Sequence, residues 1–455
     1  MNKKFIFYIV GIVVLVVSLT LLISTKKDKT IETSKLEGTV LSLEEGLLIV
    51  QGNDNVIYTF NEETVGLVVG DSIVLEYAGL LDRNKSVQDG EVISYRTVES
   101  TTENNGTPSE FNDKGIFSTY YVLATNKLKE LTLEEKIGQL LLVRYPDSGA
   151  VTDLKKYNFG GFVFFAKDFK DKTKSQVVSM ISELQKNSKI PLLTAVDEEG
   201  GGVVRVSSNP NLASAPFKSP SELYKSGGFD LIGQDTKDKS QLLKNLGLNV
   251  NLAPVVDVST DPSDYMYSRS LQQNTSITST FAKTVIEASK GTGVSYTLKH
   301  FPGYGNNSDT HTGTSTDTRT LEDIKNNDLP PFQAGIDAGA EAVLVSHNIV
   351  NSIDPDNPAS LSTSVHNLLR NELGFTGIII TDDLAMGATS SIDNAHVKAV
   401  LAGNDLIITT DYAKAFNEIK SAVDNGTISE NQIDRLAFRV LAWKYYKGLM
   451  IENNK

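Results

Sequence analysis

No cysteine occurs anywhere in the 455 residues. That excludes disulfides, thiolate zinc sites, iron–sulfur clusters, a cysteine nucleophile and a lipid anchor on cysteine. Histidine is scarce too. The five are His300, His311, His347, His366 and His396, and a His-rich metal site would have to draw on them. Positive charge is in deficit: 43 Lys and Arg stand against 56 Asp and Glu, a net charge of −13. This argues against nucleic acid as a partner, because phosphate binding needs a basic face. Nucleotide-binding signatures are missing as well, with no GxGxxG after an apolar run and no GxxxxGK[ST]. Apolar residues are plentiful at 40%, with 22% charged, which suits a large core and excludes wholesale disorder. The length fits two to four domains, or one large α/β domain with additions.

Phe5–Ser24 runs for 20 residues without a charge. A helix of that length spans about 30 Å, the thickness of a bilayer core. No short apolar region with a small-residue cleavage site is evident, so residues 1–29 are expected to form an uncleaved membrane anchor. Lys3 and Lys4 precede the span and Lys26, Lys27 and Lys29 follow it, so the positive-inside rule hardly orients it. Residues 30–105 carry five short β-runs: Gly38–Leu43, Leu47–Gln51, Val56–Phe60, Ser72–Tyr77 and Glu91–Val98. Turn signals such as Gly52-Asn53-Asp54 separate them. The expectation is a small all-β domain, an OB-like or SH3-like barrel. It holds 14 acidic and 4 basic residues, which makes it a solvated spacer more readily than a nucleic-acid or anionic-lipid module. Residues 106–115 end a polar stretch and read as a linker.

Residues 116–455 form one expected unit. Eight apolar β-runs alternate with helix-length segments: Gln139–Arg144, Gly160–Phe165, Pro191–Val196, Val250–Val256, Val294–Leu298, Ala342–Ser346, Gly377–Thr381 and Asp405–Thr409. Near-continuous apolar character suits strands buried on both faces. Helical patterns lie between them, as at Ser175–Asn187, Thr280–Lys290 and Ser364–Leu373, and Glu430–Lys447 closes the chain. The fold class is therefore α/β, with a (β/α)8 TIM-type barrel as the leading architecture and a doubly wound sheet as the alternative.

Active sites of such barrels lie at the C-terminal ends of the strands. The residues there are Asp197-Glu198-Glu199, Asp257, Lys299-His300 with Asp309 and His311 beyond, Ser346-His347, and Asp382-Asp383. Carboxylates accept hydrogen bonds from hydroxyls, and Lys donates to their oxygens, so this set suits a polyhydroxylated substrate such as a sugar. On chemistry alone either Asp382 or Asp383 could be a nucleophile, or either could cap a helix. On spacing alone His311 is equally a loop residue in a Gly/Asn/Ser-rich stretch. A metal-dependent barrel hydrolase would want convergent His ligands, often an HxH on an early strand. The first run ends instead in Arg144-Tyr145-Pro146.

Five motifs together carry a resemblance. They are Lys299-His300-Phe301-Pro302-Gly303-Tyr304-Gly305 with Asp309-Thr310-His311; Thr381-Asp382-Asp383-Leu384-Ala385-Met386; Ala195-Val196-Asp197-Glu198-Glu199-Gly200-Gly201; Gly160-Gly161-Phe162-Val163-Phe164-Phe165; and Ala253-Pro254-Val255-Val256-Asp257-Val258. Occurring along the chain in the family's order, these motifs make it resemble glycoside hydrolase family 3, in its β-N-acetylglucosaminidase (NagZ-like) branch. The resemblance spans almost all of 116–455 and does not reach residues 1–115. Position 304 is Tyr where the best-known members carry His, and the loop before Asp309 is one residue shorter than theirs.

The resemblance implies a retaining exo-β-N-acetylhexosaminidase that forms a covalent glycosyl-enzyme. It assigns Asp382 as nucleophile and His311 with Asp309 as the acid/base pair. Asp197, Arg205, Arg269, Lys299, His300 and His347 then line the sugar pocket, with Glu198 and Glu199 in supporting roles. Arg205 and Asp257 also suit buried ion pairs near the barrel mouth. The implied partners are N-acetylglucosamine-containing glycans, muropeptides among them, with no metal and no organic cofactor. With the anchor, this places the protein at the cell membrane with an extracytoplasmic catalytic domain. Two alternatives are a two-domain β-glucosidase-like exo-glycosidase, whose acid/base often comes from a second domain, and a non-catalytic wall-binding protein.

Overall fold

The computed structural model describes residues 33–44, 47–52, 56–61, 72–82, 87–88, 92–97, 115–305, 307, 309–310 and 313–450. The expected anchor within 1–29, nearly all of the expected linker and His311 lie outside the described residues. Among the described residues no helix is long and apolar enough to cross a membrane. The chain divides into two compact units, residues 1–103 and 104–455.

In the first unit β1 (Thr33–Glu44), β2 (Leu47–Gly52), β3 (Ile57–Asn61), β4 (Ser72–Ala78) and β5 (Val92–Thr97) form one antiparallel sheet. Its order is β3-β2-β1-β4-β5. Alternation drives it. Leu48 and Val50 of β2 are buried while their neighbours are half-exposed, as a period of two requires. With Leu36, Val40, Tyr58, Phe60, Ile73, Leu75 and Tyr77 they make one small core. Gly38 sits where strands cross closely, since a Cβ there would lie 2.2 Å from the Gln51 carbonyl oxygen. Phe60 on β3 meets Tyr77 on β4 edge-on at 5.3 Å, although two strands separate them in the sheet. The sheet therefore curls as a barrel wall does. No β3–β5 ladder closes it among the described residues.

In the second unit the strands are β6 (Leu141–Arg144), β7 (Gly161–Phe164), β8 (Leu193–Val196), β9 (Val250–Asn251), β10 (Ser295–Phe301), β11 (Thr316–Asp317), β12 (Ala342–Val345), β13 (Ile349–Val350), β14 (Ile378–Thr381) and β15 (Ile407–Thr409). Eight of them form a parallel sheet in the order β14-β12-β10-β9-β8-β7-β6-β15. A parallel bridge between Ile380 and Leu406 joins its two ends, giving a nearly closed barrel. β11 and β13 pair separately. β7, β8, β12 and β14 are buried at every position, as strands covered on both faces must be.

The fourth expected run, Val250–Val256, shortens to two residues of strand, with Val255 making only an isolated bridge to Lys299. Pro254 has no N–H to donate to a ladder. The helix expected over Thr280–Lys290 instead spans Thr275–Ser289 behind an Asn274 cap. Its first turn is Ser/Thr-rich, and Ser279 and Thr280 bond back to the carbonyls of Thr275 and Ser276, so apolar spacing misses it. The helix expected over Ser364–Leu373 is a short α-turn, Thr363–Asn367, continued by a π-turn, Leu368–Glu372.

Candidate active site

A cavity of about 580 Å³ opens at the C-terminal mouth of the barrel. Four of the strand ends deliver polar side chains to it. Arg144 closes β6, Asp197 and Glu199 follow β8, Lys299 and His300 lie near the end of β10, and Asp382 and Asp383 follow β14.

One wall is a chain of paired charges. Lys299 Nζ lies 2.7 Å from Asp197 Oδ1 and 2.7 Å from Glu199 Oε1. Arg269 grips the same Glu199 with a fork, Nε to Oε2 at 3.0 Å and Nη2 to Oε1 at 2.6 Å. Burial pushes the Glu199 carboxyl up, but the two cations outweigh it and hold it far below the ordinary carboxylate range. His300 is fixed from behind. Its Nδ1 lies 2.7 Å from Asp257 Oδ2, whose carboxylate also accepts from the backbone N–H groups of His300 and Tyr304. Its Nε2 faces Arg269 Nη2 at 3.4 Å. With a donor on that side, the ring donates from Nδ1.

Asp382 faces this wall. Its Oδ1 accepts from the Asp383 N–H at 2.8 Å. Burial raises its carboxyl, yet the imidazoles of His347 and His300, that N–H and Lys299 bring it below the usual value. Asp383 goes the other way. Burial and the adjacent Asp382 charge raise it, although the Ala385 N–H donates to its Oδ1 at 2.9 Å. Two adjacent carboxyls thus differ in the sense expected of a poised anion beside a more easily protonated neighbour.

The loop after β10 is seated on charge. A Cβ on Gly305 (φ +59) would fall 2.6 Å from Arg319 Nη2, and Arg319 is held by Asp317 and Asp328 at 2.7 Å each. Tyr304 turns inward, its hydroxyl 3.0 Å from Thr310 Oγ1. Asp309 shares a hydrogen bond with the Tyr265 hydroxyl. Burial and that bond push Tyr265 up to about 12.

Of the residues singled out in the sequence, Asp197, Arg205, Arg269, Lys299, His300 and Asp382 share the cavity lining. Asp309 reaches it through Tyr265. His311 lies outside the described residues. His347 was expected on the lining but is fully buried below it. Its Nδ1 meets Ser360 Oγ at 2.7 Å and its Nε2 the Asp383 carbonyl at 3.0 Å, so it braces the Asp382-Asp383 backbone. Glu198 is buried and ties down the next loop through the N–H groups of Arg205, Val206 and Ser207 and the Ser207 hydroxyl. Sequence reasoning missed the central place of Glu199, the contribution of Tyr265 and that of Arg144. For Glu199 a signal existed: it lies two residues beyond Asp197, on the same side of an extended chain.

The family model described as "Glycosyl hydrolase family 3 N terminal domain" matches residues 132–443. The chain is 31% identical to the beta-hexosaminidase of Xylella fastidiosa (strain M23) over 274 residues, covering 58% of this chain and 79% of that protein. The structure is similar to the glycoside hydrolase family 3 beta-N-acetylglucosaminidase from Paenibacillus sp. str. FPU-7, at 31% identity and a TM-score of 0.66. That match covers 70% of this chain and 63% of the Paenibacillus protein. A beta-N-acetylhexosaminidase from Beutenbergia cavernae DSM 12333 matches at 25% identity and a TM-score of 0.63, over 70% of this chain and 99% of its own.

Proposed function

The chain belongs to glycosyl hydrolase family 3 and is a glycosidase; from that premise we propose that it is a retaining exo-β-N-acetylhexosaminidase acting on terminal β-linked N-acetylglucosamine. The observation that carries the reading is Asp382. It is a carboxylate kept ionised inside a polar cavity, opposite a wall of fixed donors and acceptors. The hexosaminidase and N-acetylglucosaminidase relatives supply the sugar.

In this reading Asp382 attacks the anomeric carbon with the oxygen left free by the Asp383 N–H. The bond from that carbon to the leaving oxygen breaks, and His311 protonates the oxygen as it departs. Asp309 orients His311 and favours its imidazolium. Water then attacks the same carbon, gives its proton to His311 and releases the Asp382 carboxylate. Asp197 accepts from ring hydroxyls. Lys299 holds it, Glu199 pairs with both Lys299 and Arg269, and His300 stands beside Arg269. Phe5–Ser24 tethers the protein to the cell membrane with the barrel outside, where peptidoglycan fragments carry such sugars. No step calls for a metal or an organic cofactor.

The test is a comparison of aryl β-glycosides of N-acetylglucosamine and of glucose, with the anomer of the first-formed sugar read by NMR. Hydrolysis of the N-acetylglucosaminide to the β-anomer is expected. A preference for the glucoside, or release of the α-anomer, would sink the reading.

A further inference from the structure

Tyr304 stands outside the lining of the mouth cavity, yet each of its polar atoms is engaged. Its N–H donates to Asp257 Oδ1 at 2.7 Å and its carbonyl accepts from Asn307 Nδ2 at 2.8 Å. The ring is 3% exposed. It meets the His300 ring edge-on at 5.7 Å and the Tyr265 ring at 5.6 Å. The hydroxyl reaches across the loop to Thr310. It accepts from the Thr310 N–H at 3.0 Å and shares a second bond with Thr310 Oγ1, also at 3.0 Å. Thr310 is buried as well, and its carbonyl accepts from the Ala388 N–H at 3.2 Å, in the loop that follows β14. Thr310 is the residue between Asp309 and His311. With its N–H and its carbonyl both held, the directions in which the chain leaves it toward those two neighbours are set. Burial raises the Tyr304 hydroxyl, the two bonds from Thr310 oppose this, and the charges of Asp309 and Asp382 add to the rise. A neutral phenol thus stands in the field of both carboxylates. One end of the side chain is fixed to the wall of His300 and Asp257, the other to the Asp309-Thr310-His311 run.

We propose that Tyr304 is a positioning residue for proton transfer: its hydroxyl, acting through Thr310, keeps Asp309 and His311 where the leaving oxygen can be protonated as Asp382 attacks. The inference rests on the glycosidase reading above and adds to it the strut that sets the acid/base pair. A phenyl ring at position 304 would fill the same space and keep the contacts with His300 and Tyr265. It would leave the buried Thr310 N–H without its acceptor, which costs more than the bond alone. The run would then settle elsewhere, and a shift of about 1 Å at a proton donor is enough to slow the transfer many-fold.

The experiment uses the full chain and two β-glycosides of N-acetylglucosamine, one with an acidic phenol and one with an aliphatic alcohol as leaving group. For both, kcat/KM reports the first step, in which only the alcohol needs full protonation. Tyr304→Phe should lower kcat/KM about 10- to 50-fold for the alcohol glycoside, through kcat with KM within about 2-fold, and less than about 3-fold for the phenol glycoside. Thr310→Val keeps the backbone bond and removes Oγ1, so a loss of about 3- to 5-fold is expected with the same dependence on leaving group. Thr310→Ser should return the activity to within about 2-fold of the parent. The double variant Tyr304→Phe/Thr310→Val should lose no more than Tyr304→Phe alone, because both changes remove one shared interaction. Equal losses on the two leaving groups, a change confined to KM, or additive losses in the double variant would overturn the strut. His311→Ala serves as the reference. If it shows the leaving-group dependence and Tyr304→Phe does not, the positioning role alone falls. If His311→Ala shows none, the fault lies in the acid/base assignment, and the role of Tyr304 falls with it.

Discussion

At the C-terminal mouth of the barrel Lys299 stands between two carboxylates, each 2.7 Å away. At the opposite end, where the strands begin, Lys444 is equally buried and meets one amide oxygen, Gln139 Oε1, at 2.6 Å. Burial pushes both ammonium groups down. At the mouth the charges of Asp197 and Glu199 more than reverse this, whereas at the base nothing opposes it and Lys444 falls well below the lysine range. Lys447, bonded to Ser295 Oγ at 2.5 Å, is brought to about 8 by burial, with Glu341 opposing. One fold thus buries lysine in two ways. At the mouth the charge is preserved and aimed into a cavity. At the base no carboxylate compensates Lys444, and its charged form is disfavoured by burial alone. A buried ionisable group marks chemistry when its charge is kept by specific partners around open space, not merely when it is shifted.

This contrast can be broken most sharply at Asp382. Asp382→Asn should lower turnover by at least about 10³-fold, because no covalent step proceeds without the attacking oxygen. Its melting temperature should fall only modestly, because the groups that hold its carboxyl below the usual value lose a charge partner while the amide keeps the shape. An inactive but strongly destabilised protein would point to a packing role instead.

Next is Lys299→Met, which leaves Asp197 without its cation and Glu199 with only Arg269. A fall of about 10²-fold in kcat/KM is expected, together with about 3 kcal/mol of stability, as when one partner of a buried pair is lost. The pH dependence carries a sign. The Glu199 carboxyl is depressed in the folded state below its usual 4.5, so its contribution is full above that value and is lost as pH falls. The stability deficit of Lys299→Met relative to the parent should therefore be full above that value and shrink as pH falls below it. Urea titrations from pH 7 down to pH 3 would read it.

A smaller effect is expected at Tyr265. Tyr265→Phe removes the hydroxyl that donates to Asp309 and should cost about 5-fold in kcat/KM, roughly one neutral-to-charged hydrogen bond. The loss should be greater for poor leaving groups than for an acidic phenol, because only the former need full protonation. Equal losses on both would place Tyr265 in sugar binding alone.

The base supplies the smallest change. Between about 8 and 10.5 the unfolded Lys447 binds more protons than the folded one, so its share of stability rises with pH across that window. Lys447→Met should flatten this rise while leaving kcat/KM within about 2-fold of the parent. Thermal melts at pH 7.5 and 9.5 would show it. A large loss of activity would mean that the two ends are coupled.

Much of this architecture was legible because its physics is local. Strands buried on both faces must be continuous apolar runs, and all eight could be located before any coordinates. The five strands of the first unit were legible from alternation and turn residues, although not how far the sheet closes. The placing of Asp197, Lys299, His300 and Asp382 followed from one rule, that barrel sites gather where the strands end. What was not legible depends on side-chain direction. Nothing in Ser346-His347 says that the imidazole turns down to Ser360 and the Asp383 carbonyl instead of up into the cavity. Nothing in Glu199 announces that Lys299 and Arg269, 100 and 70 residues further along, converge on it. Arg144 is equally silent, because nothing in the sequence says that its guanidinium lies over the Phe165 ring at the cavity.

The single tryptophan of the chain lies at the base. Trp443 is fully buried, its indole N–H donates to Glu341 Oε2 at 2.7 Å, and the Lys447 ammonium stands 5.8 Å from its ring. Intrinsic fluorescence excited at the red edge of protein absorption therefore comes from one fixed place. It should emit blue-shifted light while the barrel is folded, shift to the red as the barrel opens, and stay silent when the first unit unfolds alone. It lies at the far end from the cavity, so a sugar entering the mouth should leave it unchanged. The molecule carries a built-in optical reporter of barrel integrity that is blind to occupancy, and melting curves followed by it need no extrinsic dye.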